Sequence, residues 1–264
     1  MDLAGRHVVV TGGASGIGRA CALRFADEAA KVTVADLDGD KVQQTAQEIN
    51  GLGLQADVGQ QPDITALIEQ AEQHHGPIDV FFSNAGITGP AGGPPELHDD
   101  DWDLLWRVNV MSHIWAARAL LPPMLERGDG YLVSTASAAG LLSQLGAIGY
   151  AATKHAAVAV AEWIDITYRD QGVRASCLCP QFVNTPMVTD GVMDVDKLRQ
   201  IAQVIEPEQV ADDVVDAIRE ERFLVLPHPE VAKYMKNRGD DHERWLAGMR
   251  QLQAQLGGLG RAPQ

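Results

Sequence analysis

Tyr150 and Lys154 are the residues of this sequence whose types and spacing most clearly suggest chemistry. They open an alanine-rich stretch, and one helical turn would bring the phenol and the ammonium onto the same face. A free phenol titrates near pH ~10, and a cation about 5 Å away at an effective dielectric of about 20 favours the phenolate by about 3.3 kcal/mol, or about 2.4 pKa units. We therefore expect the pKa of Tyr150 to lie near neutrality, as suits an acid–base group.

Ser137 is a second candidate, because it follows an apolar run, Tyr131, Leu132 and Val133, that is typical of a buried strand. A hydroxyl at the end of such a strand can face a cleft and hold a substrate oxygen. The alternative is a loop serine and two ordinary helix-surface residues, since Tyr-x-x-x-Lys alone often occurs by chance. The elements that must position these side chains decide between the two interpretations.

The composition favours one large α/β domain over residues 1–264, with the apolar content of an ordinary globular protein. The formal net charge of -15, without a run of Lys or Arg, argues against nucleic acid or an anionic membrane surface as the main partner. No apolar stretch reaches the length of a membrane span, and Met1 is followed almost directly by a strand-like run from His7 to Val10. These features predict a cytoplasmic protein.

The cysteines and histidines do not suggest a metal site. The three cysteines, Cys21, Cys177 and Cys179, lack CxxC spacing and are expected in the core. His74 and His75 lie at a polar helix end, and we expect no metal.

Seven apolar runs alternate with segments of helical length, which predicts β/α alternation. The runs are apolar throughout, so we expect strands buried on both faces: a doubly wound, seven-stranded parallel Rossmann-type sheet with helices on both faces. Ligands would then bind at the carboxyl ends of the strands. The runs are Val8 to Thr11, Val32 to Asp36, Leu54 to Val58, Ile78 to Ser83, Tyr131 to Thr135, Ala175 to Pro180 and Phe223 to Leu226.

A glycine-rich turn directly follows the first strand and opens a helix, the context that dinucleotide binding requires. Gly12 would permit the sharp turn, Gly16 would let the backbone approach a pyrophosphate, and Gly18 would let the helix pack closely on its strand. The helix N-terminus would supply free N–H groups, with Ser15 and Ile17 between the glycines. By itself, such a turn is weak evidence, and a plain loop is the alternative.

Asp36 strengthens the dinucleotide interpretation, because it ends the second strand where a carboxylate can accept hydrogen bonds from an adenosine ribose. A 2′-phosphate would meet a like charge there, and neither Ser15 nor Leu37 offers a cation to bind it. The sequence therefore predicts NAD rather than NADP as cofactor.

Together these residues resemble the short-chain dehydrogenase/reductase family, in its compact single-domain form, over nearly the whole chain. Thr11 to Gly18 resembles the family's cofactor turn, and Asn109, Ser137, Tyr150 and Lys154 stand where its active-site tetrad stands. Further matches are Asp57 and Val58 to the adenine-contacting pair, Asn84, Ala85 and Gly86 to the turn after the fourth strand, and Pro180 to Thr185, with Val183, to the segment that grips the nicotinamide carboxamide.

Two positions depart from the family pattern. Gln181 stands where the family commonly has Gly, and Ser83 replaces the first Asn of the usual Asn-Asn-Ala-Gly. The Gln181 side chain either reshapes the substrate pocket or turns to solvent; both interpretations stay open.

The resemblance implies that Tyr150 exchanges a proton with a carbinol oxygen that Ser137 orients, while hydride passes between substrate and nicotinamide. Lys154 would hold the nicotinamide ribose and depress the pKa of the phenol. Asn109 would anchor a water that connects Lys154 to solvent; the alternative is an amide that caps a distorted helix.

The same resemblance places a substrate lid at residues 186–206. Apolar residues there and near Ser137 predict a neutral, moderately hydrophobic secondary alcohol or ketone as substrate, although core packing would also account for several of them. Gln144 is the polar residue we expect near the substrate. The apolar residues are Met187, Val188, Val192, Met193, Leu198, Ile201, Leu141, Leu142 and Leu145.

Helices 102–121 and 151–166 are too apolar for one covered face, and in the family they form a subunit interface, so we expect a homotetramer. The chain also continues through a C-terminal helical extension, 228–264. We expect its apolar stripe to pack on its own subunit, with sealing of a neighbour's active site as the alternative. The stripe comprises Trp245, Leu246, Met249, Leu252 and Leu256.

The sequence thus predicts an NAD-dependent alcohol dehydrogenase or ketone reductase. A 3-oxoacyl-thioester reductase is an alternative, but such enzymes typically use NADPH and a basic patch for an acidic carrier protein. A non-catalytic NAD(H)-binding regulator on the same fold is another, because fold does not fix function.

Overall fold

The central element of the computed structural model is a seven-stranded, all-parallel sheet with strand order β3-β2-β1-β4-β5-β6-β9. The structure describes residues 1–189, 199 and 202–255. The strand order reverses between β1 and β4, where an open parallel sheet forms a crevice. The strands are β1 His7–Thr11, β2 Lys31–Asp36, β3 Leu52–Gln55, β4 Val80–Ser83, β5 Gly130–Thr135, β6 Val173–Leu178 and β9 Leu224–Val225.

Helices cover both faces of this sheet. Successive strand residues point to opposite faces, so Val8 and Val10 belong to one hydrophobic cluster and Val9 to another. The first cluster includes residues of α1, α2 and α8, and the second includes residues of α3, α5 and α6. The helices are α1 Gly16–Asp27, α2 Gly39–Glu48, α3 Gln61–His75, α4 Asp99–Trp106, α5 Ser112–Arg127, α6 Ile148–Tyr168, α7 Pro186–Thr189, α8 Pro207–Glu220, α9 Glu230–Asp240 and α10 His242–Gln255. The predicted doubly wound fold is confirmed.

One predicted strand is displaced. The apolar run 54–58 predicts a strand there, but β3 is Leu52–Gln55, which pairs in parallel with β2. Ala56 and Val58 are buried in the loop beyond the strand, where they join the second hydrophobic cluster. Burial of an apolar side chain therefore does not require strand pairing at that position.

A small second sheet was not predicted. It consists of β7 Phe182–Val183 and β8 Val204–Ile205, in parallel, at the two ends of the lid segment predicted for 186–206. Met187 and Val188 of that segment are described, whereas Val192, Met193, Leu198 and Ile201 lie outside the described residues.

A π-helical turn at Arg107–Met111 interrupts the helix predicted for 102–121 and separates α4 from α5. The wider turn changes the main-chain pairing locally, and the Ser112 hydroxyl donates to the Val108 carbonyl at 2.6 Å. Such turns often occur at functional sites. This one contains Asn109, which is fully buried.

Near the amino ends of the strands, five charged residues form a ladder of ion pairs. Arg6 contacts Asp79 at 2.9 Å and Asp129 at 2.8 Å, and Arg174 contacts Asp129 at 2.7 Å and Glu221 at 3.0 Å. The ladder joins segments that begin or flank β1, β4, β5, β6 and β9, so it connects five strands at the edge opposite the crevice.

The C-terminal extension forms α9 and α10. None of the described residues of α10 is buried, and its stripe residue Leu252 is 42% exposed. The helix packs on α9 of its own chain, while Leu256 lies outside the described residues.

The cysteines are buried and free, which confirms the prediction that they are core residues. Among the described residues, no helix has the length and apolar character needed to cross a membrane. The same residues contain no cluster of His, Cys, Asp or Glu suited to a metal ion.

Candidate active site

A cleft of about 680 Å³ opens at the carboxyl ends of the strands, around the point where the strand order reverses. It brings together most of the predicted site residues from seven separate segments of the chain. Gly18 and Asn109 are not among its lining residues, but each lies next to one of them, Gly18 beside Gly12 and Asn109 beside Gly86. The predicted residues that line it are Gly12, Ser15, Gly16, Ile17, Asp36, Leu37, Asp57, Val58, Asn84, Ala85, Gly86, Ser137, Tyr150, Lys154, Pro180, Val183 and Thr185.

The glycine-rich turn forms one end of the cleft, with no room for side chains at its key positions. A Cβ atom on Gly18 would lie 2.1 Å from the Gly12 carbonyl oxygen, and one on Gly16 would lie 3.0 Å from Thr185. Ser15 precedes α1 without a side-chain capping bond, so the first N–H groups of the helix face the cleft uncapped. This cradle fits the pyrophosphate of a dinucleotide.

Asp36 is held rigidly at the end of β2. One carboxylate oxygen accepts from the Ala14 N–H at 3.0 Å, and the other accepts from the Asp38 N–H at 3.1 Å. Each oxygen keeps a lone pair for a ribose hydroxyl. Asp57 is fixed in a similar way, because it accepts from the Gly59 N–H at 2.8 Å.

Asn84 joins the ends of three adjacent strands. Its side-chain amide donates to the Thr11 carbonyl at 3.0 Å and accepts from the Thr135 hydroxyl at 3.1 Å. Its own N–H donates to the Thr11 hydroxyl at 3.0 Å. These bonds close the floor of the cleft between β1, β4 and β5.

Ser137 follows β5 in a tight turn and is buried. Its hydroxyl accepts from the Ala139 N–H at 3.1 Å and lies 3.4 Å from the Pro180 carbonyl. Burial raises the pKa of the Tyr150 phenol, and the nearby Ser137 hydroxyl opposes that shift. Serine and phenol therefore share one point of the cleft wall.

The expectation that Lys154 brings the pKa of Tyr150 near neutrality is wrong for this geometry. The Lys154 ammonium is buried, donates to the Thr135 carbonyl at 2.9 Å, and lies 5.6 Å from the Tyr150 ring centroid. Burial lowers the pKa of Lys154 to about 8, so the ammonium is still mostly protonated at pH 7, but burial of the phenol raises the pKa of Tyr150. The spacing predicts that Tyr150 and Lys154 lie close together, which they do, but it does not show that burial removes water from both groups.

The Asn109 side chain forms hydrogen bonds with residues outside its own helical turn. Its amide oxygen accepts from the Ile87 N–H at 2.9 Å, and its nitrogen donates to the Ile87 carbonyl at 2.9 Å and to Thr153 at 3.1 Å. A Cβ atom on Gly86 would lie 3.1 Å from the Asn109 amide oxygen and 3.2 Å from the Lys154 ammonium, so a side chain there would crowd both groups.

Gln181 and Gln144, the two glutamines discussed above, lie in different positions relative to the cleft. Gln181 lines the cleft beside Pro180, whereas Gln144 is exposed and is not among the lining residues. The Gln181 N–H donates to Nδ1 of His228 at 3.2 Å.

Three residues near the site have no counterpart in the sequence analysis: His113, His228 and Arg238. His113 is buried with both ring nitrogens unpaired among the described groups, and burial together with the Lys154 charge lowers its pKa to about 3. Arg238 reaches the Leu141 carbonyl from α9. No local motif indicates these residues, because their partners are distant in the sequence.

Comparison with known proteins agrees with this geometry. The model of the short chain dehydrogenase family matches residues 6–196. A 1-deoxy-11-beta-hydroxypentalenate dehydrogenase of Streptomyces exfoliatus is 36% identical over 248 residues, covering 91% of this chain and 90% of its own length. A cyclohexanol dehydrogenase of Acinetobacter sp. (strain SE19) is 30% identical over 223 residues, covering 82% of this chain and 89% of its own.

Among solved structures, a short-chain dehydrogenase/reductase from Burkholderia phymatum in complex with NAD gives a TM-score of 0.82 at 28% identity. That match covers 100% of this chain and 99% of the other. The chain belongs to the short-chain dehydrogenase/reductase family, whose members are oxidoreductases.

Proposed function

We propose that this protein is an NAD-dependent oxidoreductase that interconverts a neutral, moderately hydrophobic secondary alcohol and its ketone. The observation that carries the proposal is that Ser137, Tyr150 and Lys154 line the same cleft as the glycine-rich turn and Asp36. An acid–base group thus stands in the same cavity as a dinucleotide cradle.

In this mechanism Tyr150 holds or takes the proton of the carbinol oxygen, and Ser137 orients that oxygen through its hydroxyl. Nicotinamide, when bound, accepts or supplies the hydride. Lys154 binds the nicotinamide ribose and supplies positive charge beside the phenol. Asn109 fixes the π-helical turn against Ile87 and Thr153, and so holds the wall behind Lys154 in place.

Proton uptake by these groups gives the reaction a pH dependence. Alcohol oxidation needs the ionised phenol, whose pKa is raised by burial, so the oxidation rate should rise as the pH increases through and above neutrality. Ketone reduction needs the protonated phenol and should fall over the same range.

The preference for NAD rests on Asp36. A carboxylate at the end of β2 suits the ribose hydroxyls and repels a 2′-phosphate. Of the described residues that line the cleft, Lys154 is the only Lys or Arg, and it lies at the nicotinamide end. Among these lining residues, none at the Asp36 end supplies a cation for NADP.

The substrate class follows from the other end of the cleft. Ile87, Met187 and Val188 give it apolar surface, and Thr88 and Gln181 add neutral polar groups. Cyclohexanol, the neutral alicyclic alcohol named for one relative, suits such a lining. Substrates with a free carboxylate or phosphate would lack a charged partner there.

A homotetramer and a cytoplasmic location belong to the same proposal. Between α5 and α6 runs a groove of about 470 Å³ with an almost wholly apolar lining, and Trp163 beside it is 58% exposed. Such a patch on a monomer usually marks an interface. The groove residues are Ile114, Ala117, Arg118, Leu121, Ala159, Val160, Trp163 and Ile164.

The test is a panel of cyclic and open-chain secondary alcohols and ketones, each assayed by NADH absorbance with NAD and NADP separately. We expect turnover of cyclic alcohols with NAD. Preferential reduction of acyl thioesters with NADPH would instead support a 3-oxoacyl-thioester reductase, and tight NADH binding without any turnover would support a regulator.

A further inference from the structure

The C-terminal extension returns to the active site at two points, the segment that begins at Pro180 and the turn that carries Ser137. We propose that residues 228–245 form a brace in which His228 holds the nicotinamide segment and Arg238 holds the turn that carries Ser137. The kinetic part of this inference rests on the proposed function. Neither residue lines the cleft, so both are positioning residues.

His228 is fully buried beneath the segment that begins at Pro180. Its Nδ1 accepts from the Gln181 N–H at 3.2 Å, so the ring proton is on Nε2. Burial lowers the pKa of His228, while the main-chain groups of Gln203 and Phe182 oppose that shift. The ring is therefore neutral near pH 7 and lies beside the main chain of Phe182 in β7 and of Gln203 just before β8, while its Nε2 is unpaired among the described groups.

The main chain of His228 extends the connection into the C-terminal region. Its carbonyl accepts from the Val231 N–H at 3.0 Å, in the first turn of α9. The position of α9 and the position of Gln181 are thus set by one residue.

Arg238, two helical turns further on, makes the second contact. Its guanidinium donates to the Leu141 carbonyl and lies 3.5 Å from Nε2 of His155. It also lies 5.1 Å from the ring of Trp245 in α10, a cation–π contact that restricts the arginine.

The Leu141 contact reaches Ser137 through the backbone of its turn. The Leu141 N–H donates to the Ala138 carbonyl at 3.1 Å, and the Ala139 N–H donates to the Ser137 hydroxyl at 3.1 Å. Moving Leu141 would therefore move the group that orients the substrate oxygen.

The His155 contact reaches the helix that carries Tyr150. Nδ1 of His155 lies 2.8 Å from the Ala151 carbonyl and donates to it, which leaves Nε2 as the acceptor for Arg238. One guanidinium thus links the turn of Ser137 to the helix of Tyr150, and sets the distance between the two.

The first test compares His228→Gln with His228→Asn. The Asn amide oxygen can take the place of Nδ1, whereas the Gln amide reaches past it and leaves the Gln181 N–H unpaired. We expect His228→Gln to raise KM for NAD and Kd for NADH about tenfold, with kcat and the alcohol KM within about twofold, and Asn to restore both.

The second test compares Arg238→Met with Arg238→Lys, and uses the exposed Arg250→Met in α10 as matched control. We expect Arg238→Met to raise the alcohol KM about tenfold while Kd for NADH stays within about twofold. The shorter list of donors in Arg238→Lys allows a bond to the Leu141 carbonyl alone, so its alcohol KM should lie between those of the wild type and Arg238→Met. The alcohol KM of Arg250→Met should match that of the wild type.

Hydrogen exchange gives a readout that needs no turnover. Amides of 138–147 should exchange faster in Arg238→Met, and amides of 180–185 should exchange faster in His228→Gln. In each variant the other segment should exchange as in the wild type. If both variants change both segments equally, or neither segment, the brace is refuted. Wild-type protein that binds no NADH would contradict the proposed function instead, while the exchange data would still decide on the brace.

Discussion

The two halves of the cleft are held in place by different means. In the cofactor half, around β1 to β4, each carboxylate accepts from an N–H group two residues further along the chain, Asp57 from Gly59 and Asp36 from Asp38. Asp36 and Asn84 also have partners further away in the sequence, Ala14 and Thr11. In the substrate half the contacts span long separations, 47 residues for Gln181 with His228 and 97 for Leu141 with Arg238.

This difference separates two kinds of sensitivity. The cofactor half depends on backbone shape, so an added atom at a glycine should destroy the site itself. The substrate half depends on side chains contributed from afar, so substitutions there should change rate and specificity while the cradle stays intact. Four substitutions test this contrast.

The largest expected effect is in the substrate half. Tyr150→Phe removes the proton-transfer group but keeps the ring, so we expect kcat to fall at least about 10³-fold, equivalent to about 4 kcal/mol, with Kd for NADH within about threefold. Steady-state assays measure kcat, and NADH fluorescence titration measures Kd. Tyr234→Phe, at an exposed tyrosine, is the control. Comparable turnover in Tyr150→Phe would remove the phenol from the mechanism.

The next effect breaks the cofactor half. Gly18→Ala would place a Cβ atom 2.1 Å from the Gly12 carbonyl, so α1 must move away from β1. We expect a loss of about 3 kcal/mol in the free energy of unfolding together with loss of NADH binding. Urea unfolding measures the loss in the free energy of unfolding. The matched Gly248→Ala in α10 meets nothing within 4 Å and should leave stability equal or slightly higher. Equal effects of both would refute the packing argument.

A smaller effect concerns cofactor choice. Asp36→Ala removes the ribose acceptor and the repulsion of a 2′-phosphate, so the kcat/KM ratio of NAD over NADP should fall about 100-fold, or about 2.7 kcal/mol. Asp40→Ala, at an exposed aspartate in the first turn of α2, controls for loss of charge alone. An unchanged ratio in Asp36→Ala would show that another group selects the cofactor.

The smallest effect returns to the substrate half. The pKa of buried His113 is lowered to about 3, against about 6.5 for an unfolded chain, so the unfolded state binds a proton first as the pH falls. Stability is therefore lost below pH ~6.5. By pH ~5 His113 accounts for a loss of about 2 kcal/mol, and His113→Leu should lose that much less between pH ~7.5 and pH ~5 in urea unfolding. Parallel losses in both proteins would contradict the assignment.

Sequence patterns predicted the sheet and the cradle well because both are local. Gly12, Gly16, Gly18 and the carboxylate at the end of β2 all lie within one β/α/β unit. Strand β3 was displaced because apolar character reports burial rather than pairing.

The same approach failed where hydration or distant partners decide. The spacing of Tyr150 and Lys154 cannot show that the ammonium is buried against Thr135. Likewise, nothing near Arg238 indicates that its partner is the Leu141 carbonyl. The subunit assembly and the residue roles stay predictions.

The ladder of ion pairs has a consequence for the evolution of such a chain. It comprises Arg6, Asp79, Asp129, Arg174 and Glu221. Because it secures the strands at the edge remote from the chemistry, replacements around the substrate need not disturb strand registry. Arg6, Asp129 and Arg174 each serve two partners, so substitutions within the ladder should be strongly epistatic, whereas those around the cleft can accumulate one at a time. The architecture thereby leaves specificity free to drift while the scaffold persists.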